Sequence, residues 1–381
     1  MDAVQAPIVP VIGGLIRQSP GTISLGQGVV HYGPPQAAID AVRGALTDAS
    51  THEYQDGAGL PALVARLAGK VRAENGIDVS SGSRIMVTAG ANMAFMHAVF
   101  AITAPGDEII LNVPFYFNHE MAIQMAGCTA VPVATDGGYQ PRLDALRDAI
   151  TARTRAIVTV SPNNPSGAVF GEEALRDINM LCRDRGIYHL ADEVYEYFTY
   201  GSARHVSAGS FPGAEAHTIA MYSLSKAYGF AGWRIGYVTY PEHLETAMAK
   251  SQDTILVCPP VASQVAAIAA VDVGRAYCEP HVRALSATRD VVVAKLAALA
   301  PLVSVPAADG AFYVLLKVET ALAPMLIAER LIRDHKVAVI PGPAFGMTDG
   351  CYFRVAYGAL HEETVAEGIG RLVEGLKRIC S

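Results

Sequence analysis

Several features are missing from this chain of 381 residues, and each absence narrows what it does. No Lys/Arg-rich run occurs and the net charge is −7, so there is no basic face for nucleic acid. No C-x-x-C pair occurs among the six cysteines; scattered free thiols suit a reducing compartment, and the cytosol is expected. The histidines lack metal-ligand spacing, with His31, His52, His119 and His189 far apart, so no metal is expected. The most apolar run, "ILVCPPVASQVAAIAAV", is broken by Pro259, Pro260, Ser263 and Gln264, which excludes a membrane span there. The N-terminus has Asp2 where a signal peptide has basic residues, and Pro7 and Pro10 interrupt it, so no signal peptide is expected. Repeats and low-complexity tracts are absent as well.

What is present is apolar and patterned. Hydrophobic residues make up 51% and charged residues 17%, enough for a large core. From residue 84 to 240, β-rich runs alternate with helical ones. "RIMVTAG", "DEIILNV", "TAVPVA", "RAIVTVS", "IYHLAD" and "HTIAMYS" read as strands. Between the earlier ones lie helices from Asn92 to Thr103, in "HEMAIQMAG", in "LDALRDAI" and in "EEALRDINMLCRDRG", the last closed by Gly186. This pattern predicts an α/β domain with a doubly wound, mainly parallel sheet. Beyond 275 come a helix in "RALSATRDVVVAKLAALA", strands in "AFYVLLKV", "VAVIP" and "YFRVAYG", and a closing helix, which predict a smaller α+β domain. The expected division is an N-terminal arm over 1–36 joining the small domain, a large domain over 37–275 and a small one over 276–381.

In an open α/β sheet, ligands bind beyond the carboxyl ends of the strands. Four such ends here carry polar or small residues: "TAG" (88–90), "SPNNPSG" (161–167), "ADEVY" (191–195) and "SLSK" (223–226). Any one of them could be a turn doing turn work. Together they also make a chemical set. A lysine in apolar surroundings loses pKa and becomes a nucleophile for a carbonyl, which points to Lys226, although a lone lysine more often snorkels to the surface. Asp192 can pair with a protonated ring nitrogen, as a pyridoxal enzyme requires, or serve as a helix cap. Gly90 with the helix N-terminus after it can hold a phosphate, with Ser223 and Arg234 completing the shell.

These segments, in this order, resemble the class I/II aminotransferases among the fold-type I pyridoxal-phosphate enzymes. "SLSKAYGFAGWRIGY" (223–237) is similar to the family's S-x-S-K-x-x-x-x-x-G-W-R-x-G-Y. "SPNNPSG" resembles its N-N-P-T/S-G turn, "DEVY" its D-E-x-Y strand end, and "LGQG" (25–28) its N-terminal glycine segment. "EYQDGAGLPALVARLA" (53–68) resembles Y-x-x-x-x-G-x-x-x-L-R, and "FRVAYG" (353–358) the C-terminal arginine motif. The likeness spans nearly the whole chain.

The resemblance implies these roles. Lys226 forms the Schiff base with pyridoxal 5'-phosphate and shuttles the proton. Asp192 keeps the pyridine nitrogen protonated. Asn164 and Tyr195 bond the ring hydroxyl oxygen, and Tyr116 stacks on the ring. Gly90, Ala91, Asn92, Ser223 and Arg234 surround the phosphate. Arg354 clamps the substrate carboxylate, with the Gly28 backbone and Asn164 nearby. Tyr54 reaches the phosphate of a neighbouring subunit, which implies a homodimer. The reaction implied is transfer of an amino group from an L-amino acid to a 2-oxo acid.

The pattern departs from the family at two points. After "LGQG" the family often continues E-P-D-F, whereas this chain has "VVHY" (29–32). Some bacterial aspartate aminotransferases carry a lysine in the phosphate turn where this chain has Ala91. A neutral or aromatic substrate is therefore favoured over a dicarboxylate, with His31, Tyr32, Tyr116 and Phe230 as candidates to meet it. Aspartate aminotransferase, a C–S β-lyase or cyclising synthase on the same scaffold, and a non-catalytic binding module remain alternatives. "GAGLPA" (57–62) matches a dinucleotide fingerprint, but the polar "DASTHEYQD" before it makes a poor strand, so the fingerprint is a decoy.

Overall fold

The computed structural model describes Met1 and residues 4–380; Asp2, read above against a signal peptide, lies outside the described residues. The first helix, α1 (Ile8–Arg17), lies within the expected arm. Pro7 stands at its N-cap, where a missing N–H costs nothing. Its apolar face packs on Phe117, Ile340 and Phe345. A two-residue strand β1 (Ile23–Ser24), α2 (Gln36–Ala45) and α3 (Pro61–Asn75) follow. The "DASTHEYQD" stretch is no strand: it holds a 3₁₀ turn at Ala49–His52.

The large sheet then builds up as β2 (Ser83–Thr88), α4 (Ala91–Ile102), β3 (Glu108–Val113), α5 (Phe117–Met125), β4 (Thr129–Ala134), α6 (Leu143–Ala149), β5 (Thr154–Val160), α7 (Glu172–Arg185) and β6 (Tyr188–Asp192). It is completed by β7 (Thr218–Ser223), the one-turn helix α8 (Leu224–Ala227) and β8 (Gly236–Pro241). The strand order is β2-β8-β7-β6-β5-β3-β4. Neighbours from β7 through β4 pair parallel. β8 runs antiparallel to both β2 and β7. Parallel sheets are covered on both faces, and here successive residues of β7 alternate between two cores. Ile219 and Met221 join the cluster around Phe95, while Ala220 and Tyr222 join the one around Leu67 and Phe198.

The chain continues through α9 (Glu245–Leu256), α10 (Val261–Val273) and α11 (Arg275–Ala297). α11 begins well before the helix read from sequence, because Pro280 lies within it and masked its first turns. Then come β9 (Val303–Ser304), β10 (Tyr313–Val318), α12 (Pro324–His335), β11 (Val337–Ala338), β12 (Ile340–Pro341), β13 (Cys351–Ala356) and α13 (Glu362–Cys380). A second, antiparallel sheet has the order β12-β13-β10-β9. β11 instead pairs parallel with β1, which ties the N-terminal segment to this part of the chain. No described helix is long and apolar enough to cross a membrane.

Candidate active site

One rim of the large sheet collects the carboxyl ends of β2, β5, β6 and β7. Because β8 runs the other way, with Gly236 paired to both Thr88 and Ser223, its amino end, and hence Arg234, arrives at the same rim. A cavity of about 490 Å³ opens there. Ala91, Asn92, Tyr116, Asn164, Asp192, Tyr195, Ser223, Lys226 and Arg234 line it from the large sheet, and Gly28, Tyr313 and Arg354 from the other side.

The cations come first. Ser223 Oγ accepts the Ser225 N–H at 3.0 Å and so caps α8, the turn that carries Lys226. Lys226 Nζ donates to the Gly28 carbonyl. Desolvation pushes the amine down to about 8, helped by the positive charges of Arg354 and Arg234 and opposed by Asp192. Arg234 adopts a left-handed φ of 53° and donates to the Ala231 carbonyl at 2.8 Å and the Ala89 carbonyl at 3.3 Å. Gly90, at φ 84°, caps α4 beside it; a Cβ there would sit 2.5 Å from Arg234 Nη2. Ala91 and Asn92 begin α4, so the helix presents its positive end to the cavity.

Arg354, on β13, is only 2% exposed. It donates to Asn164 Oδ1 at 2.9 Å and to the Gly26 carbonyl at 2.7 Å, and its Nε has no partner. The guanidinium lies 4.8 Å from the Tyr313 ring centre and 5.1 Å from that of Phe345. Among the described residues, the hydrogen-bond partners of Lys226, Arg234 and Arg354 are carbonyl or amide oxygens and not carboxylates. Arg354 is buried and Lys226 half-buried, and a buried cation without an acid is costly unless something else supplies negative charge; Arg234 is exposed, with its guanidinium at the mouth of the same cavity.

Among the described residues, Asp192 is the one carboxylate that lines the cavity. Its Oδ2 lies 3.1 Å from His119 Nε2, and its Oδ1 accepts the Val194 N–H at 3.3 Å. His119 stacks on Phe95 at 4.0 Å and meets the Tyr116 ring edge-on. Tyr195 Oη is 2.8 Å from Tyr313 Oη and 3.5 Å from Asn164 Nδ2. Burial raises the Tyr195 and Tyr116 phenols, which therefore stay protonated and able to donate.

Tyr54 is not in this cavity. It is 81% exposed and lines a separate concavity with His52, Cys258 and Val261. Three of the four side chains suggested to meet the substrate are elsewhere too. Phe230 is fully buried beside Trp233, the Tyr32 hydroxyl bonds the Lys226 carbonyl, and His31 leans on His361. Only Tyr116 of that set lines the cavity. Conversely, sequence reasoning missed His119, Tyr313, Val9 and Phe117. His119 follows Tyr116 by three residues and could have been found by helical spacing. Tyr313 and Val9 carried no signal, because other parts of the chain bring them in.

The assembled chemistry is an amine titrating near neutrality, two cations seeking anions, and a buried acid suited to a cationic partner. Residues 20–372 match the family Aminotransferase class I and II. The chain is 34% identical to the aromatic aminotransferase ISS1 of Arabidopsis thaliana over 98% of its own length and 94% of that protein's. It is also 34% identical to the aspartate/prephenate aminotransferase of Thermus thermophilus, covering 96% and 93% of the two chains. The solved aromatic aminotransferase of Pyrococcus horikoshii superposes with a TM-score of 0.89 at 30% identity, over 97% of this chain and 99% of that one.

Proposed function

Since this chain belongs to the class I and II aminotransferases, a family of pyridoxal-phosphate-dependent enzymes, we propose that Lys226 is its catalytic base and that its amino donor is a neutral or aromatic L-amino acid. The observation that carries the reading is the acid-free pair Arg234 and Arg354 on either side of a lysine whose pKa is lowered to about 8.

The residues fit the cofactor and an amino acid on their own chemistry. Because Gly90 has no Cβ, the Arg234 guanidinium lies close against the backbone at the start of α4, where it and Ser223 would hold a phosphate. Asp192, kept in place by His119, would accept a hydrogen bond from the ring nitrogen. Tyr195 and Asn164 would bond the ring oxygen, and Tyr116 would lie against the ring. Arg354 would take the substrate carboxylate, a group that can satisfy its orphaned Nε.

When bound, pyridoxal phosphate supplies an electron sink for charge developing at the substrate Cα. Lys226 Nζ, unprotonated in a useful fraction near pH 8, takes the proton from Cα and returns it on the way to product. Arg354 would fix the substrate carboxylate and so hold the substrate in the cavity that Lys226 also lines. The hydroxyl of Tyr195 and the carboxylate of Asp192, both lining the cavity, would steady charge developing on the cofactor.

The substrate preference rests on the lining. Among the described residues, no cation beyond Lys226, Arg234 and Arg354 lines the cavity, and Val9, Val29 and Phe117 supply apolar surface. The relatives' names include both aromatic and aspartate/prephenate substrates, and they speak for amino transfer over β-elimination. Two further readings go with this one. Tyr54, exposed on its own concavity, would complete the site of a second copy in a homodimer. All six cysteines are free thiols, which supports a reducing compartment such as the cytosol.

Single-turnover half-reactions with a panel of amino acids test the proposal. Phenylalanine, tyrosine or methionine should react faster than aspartate; the reverse order would sink the substrate assignment. Lys226→Ala should abolish the visible absorbance of the lysine–cofactor bond, and an unchanged spectrum would remove the lysine assignment.

A further inference from the structure

The segment after the glycine-rich "LGQG" is where this chain departs from its family pattern, reading "VVHY" where E-P-D-F is common. Its last residue, Tyr32, makes a contact that phenylalanine cannot. The Tyr32 hydroxyl donates to the main-chain carbonyl of Lys226 at 3.0 Å, with the Ala227 carbonyl at 3.4 Å. Both carbonyls belong to the last turn of α8, a helix of only four residues. The only other donors to the Lys226 carbonyl among the described residues are backbone N–H groups just past the helix, Gly229 N–H at 3.4 Å among them, so the shorter bond from the Tyr32 hydroxyl holds the turn in place.

The same segment grips Lys226 at its other end, because Nζ donates to the Gly28 carbonyl. Only three residues thus lie between the group that holds the lysine's amine and the group that holds its backbone. The segment itself is anchored. Arg354 donates to the Gly26 carbonyl, the His31 N–H to the Gly358 carbonyl at 2.9 Å, and Tyr277 Oη to the Gly33 carbonyl at 2.6 Å. The Tyr32 ring stacks on His281 at 3.8 Å, nearly parallel to it. Just beyond the lysine, Gly229 at φ 69° presses on this backbone: a Cβ would sit 2.5 Å from the carbonyls of Tyr32 and Gly33. Burial raises the Tyr32 phenol far above its usual range, so it remains a donor at any working pH.

We propose that Tyr32 is a positioning residue for Lys226: its hydroxyl caps the lysine-bearing turn and so aims the amine between the Gly28 carbonyl and the reaction centre. This rests on the reading of Lys226 as the base. Tyr32 touches no substrate; it acts through the backbone that carries the amine.

The test compares Tyr32→Phe with Tyr277→Phe in the full-length protein, with kinetics on the holoenzyme and labelling on the same chain freed of cofactor. Tyr32→Phe keeps the ring stacked on His281 and removes only the hydroxyl; Tyr277→Phe releases Gly33 from the same segment without touching α8. For Tyr32→Phe, loss of one positioning hydrogen bond should lower kcat about fivefold to tenfold while KM stays within about twofold. The pH at which Lys226 becomes reactive to an amine-labelling reagent, read by mass spectrometry on the cofactor-free chain, should move up as the amine leaves its enclosed position. Tyr277→Phe should lower the melting temperature and leave that pH in place. Wild-type kcat and labelling pH in Tyr32→Phe would overturn the proposal. So would an equal shift in Tyr277→Phe, which would mean general packing. If Lys226→Ala keeps its absorbance, the reading of the lysine fails first; if Lys226→Ala behaves as expected and Tyr32→Phe is silent, only the role of Tyr32 fails.

Discussion

Arg354 offers the most informative perturbation, because two substitutions separate its shape from its charge. Arg354→Lys keeps a cation at the same place. It cannot hold Asn164 Oδ1 and the Gly26 carbonyl together and still offer two parallel N–H groups to a carboxylate. Charge-assisted hydrogen bonds contribute about 1.5–3 kcal/mol each, so losing one or two should cost roughly 2–4 kcal/mol of transition-state binding. With about 1.4 kcal/mol per factor of ten, kcat/KM should fall roughly 30-fold to 1000-fold. Arg354→Gln removes the charge as well. Arg354 is the largest influence on the Lys226 amine after burial, so its loss should raise that pKa from about 8 toward the ordinary lysine value. The acidic limb of the pH–rate profile should then shift to higher pH in Arg354→Gln and stay in place in Arg354→Lys. Single-turnover rates across the region around pH 8 measure both effects. If Arg354→Lys matches the unaltered enzyme, the bidentate role is refuted; if both variants leave the limb where it was, the electrostatic coupling is.

Gly90→Ala would force a Cβ toward Arg234 at φ 84°; it should cost about 1–3 kcal/mol of stability and loosen cofactor retention, read by fluorescence titration, and unchanged retention would count against the tight turn. Glu196→Ala strips Lys70, whose side chain is 9% exposed, of its closest carboxylate and should destabilise the fold by about 3 kcal/mol in urea; a loss below about 1 kcal/mol would show that Glu74 and Asn75 suffice. Burial holds His189 down to about 3 and His97 down to about 4, against about 6.5 for an exposed imidazole. The unfolded chain therefore binds more protons below that value, and stability should fall as pH drops from about 6.5 toward 4, by up to roughly 1.4 kcal/mol per pH unit per histidine. Urea midpoints that stay flat over that window would contradict the assignment.

Legibility in the sequence followed the range of the interactions. The strands of the large sheet read clearly because burial on both faces demands unbroken runs of apolar residues. β8 went unread as a strand because "GYVTYP" sits inside the lysine–arginine segment, and nothing local says that it runs antiparallel. Asp192, Asn164, Lys226 and Arg354 stood out through short motifs. His119 did not, since its partner Asp192 is 73 positions away by number, although both end on one rim. Phe230 and Tyr32 looked like pocket residues by proximity to the motifs, yet their rings turn into the protein.

Sequence alone determined which chemical groups are available and where each strand would present them, because strand periodicity and turn chemistry are local. It also determined that Lys226 and Arg234 have no acid close by in the chain. Only the tertiary structure decided what those groups meet. The reversal of β8 carries Arg234 to the rim beside Gly90. Pairing of β13 with β10 and β12 carries Arg354 over Tyr313 and toward Asn164. The anchoring of residues 26–33 places one carbonyl at the lysine's amine and one hydroxyl at its backbone. Burial and converging charge, which lower the amine to about 8, depend on groups such as Arg354 and Asp192 that lie far from Lys226 in the chain, and so have no local signature.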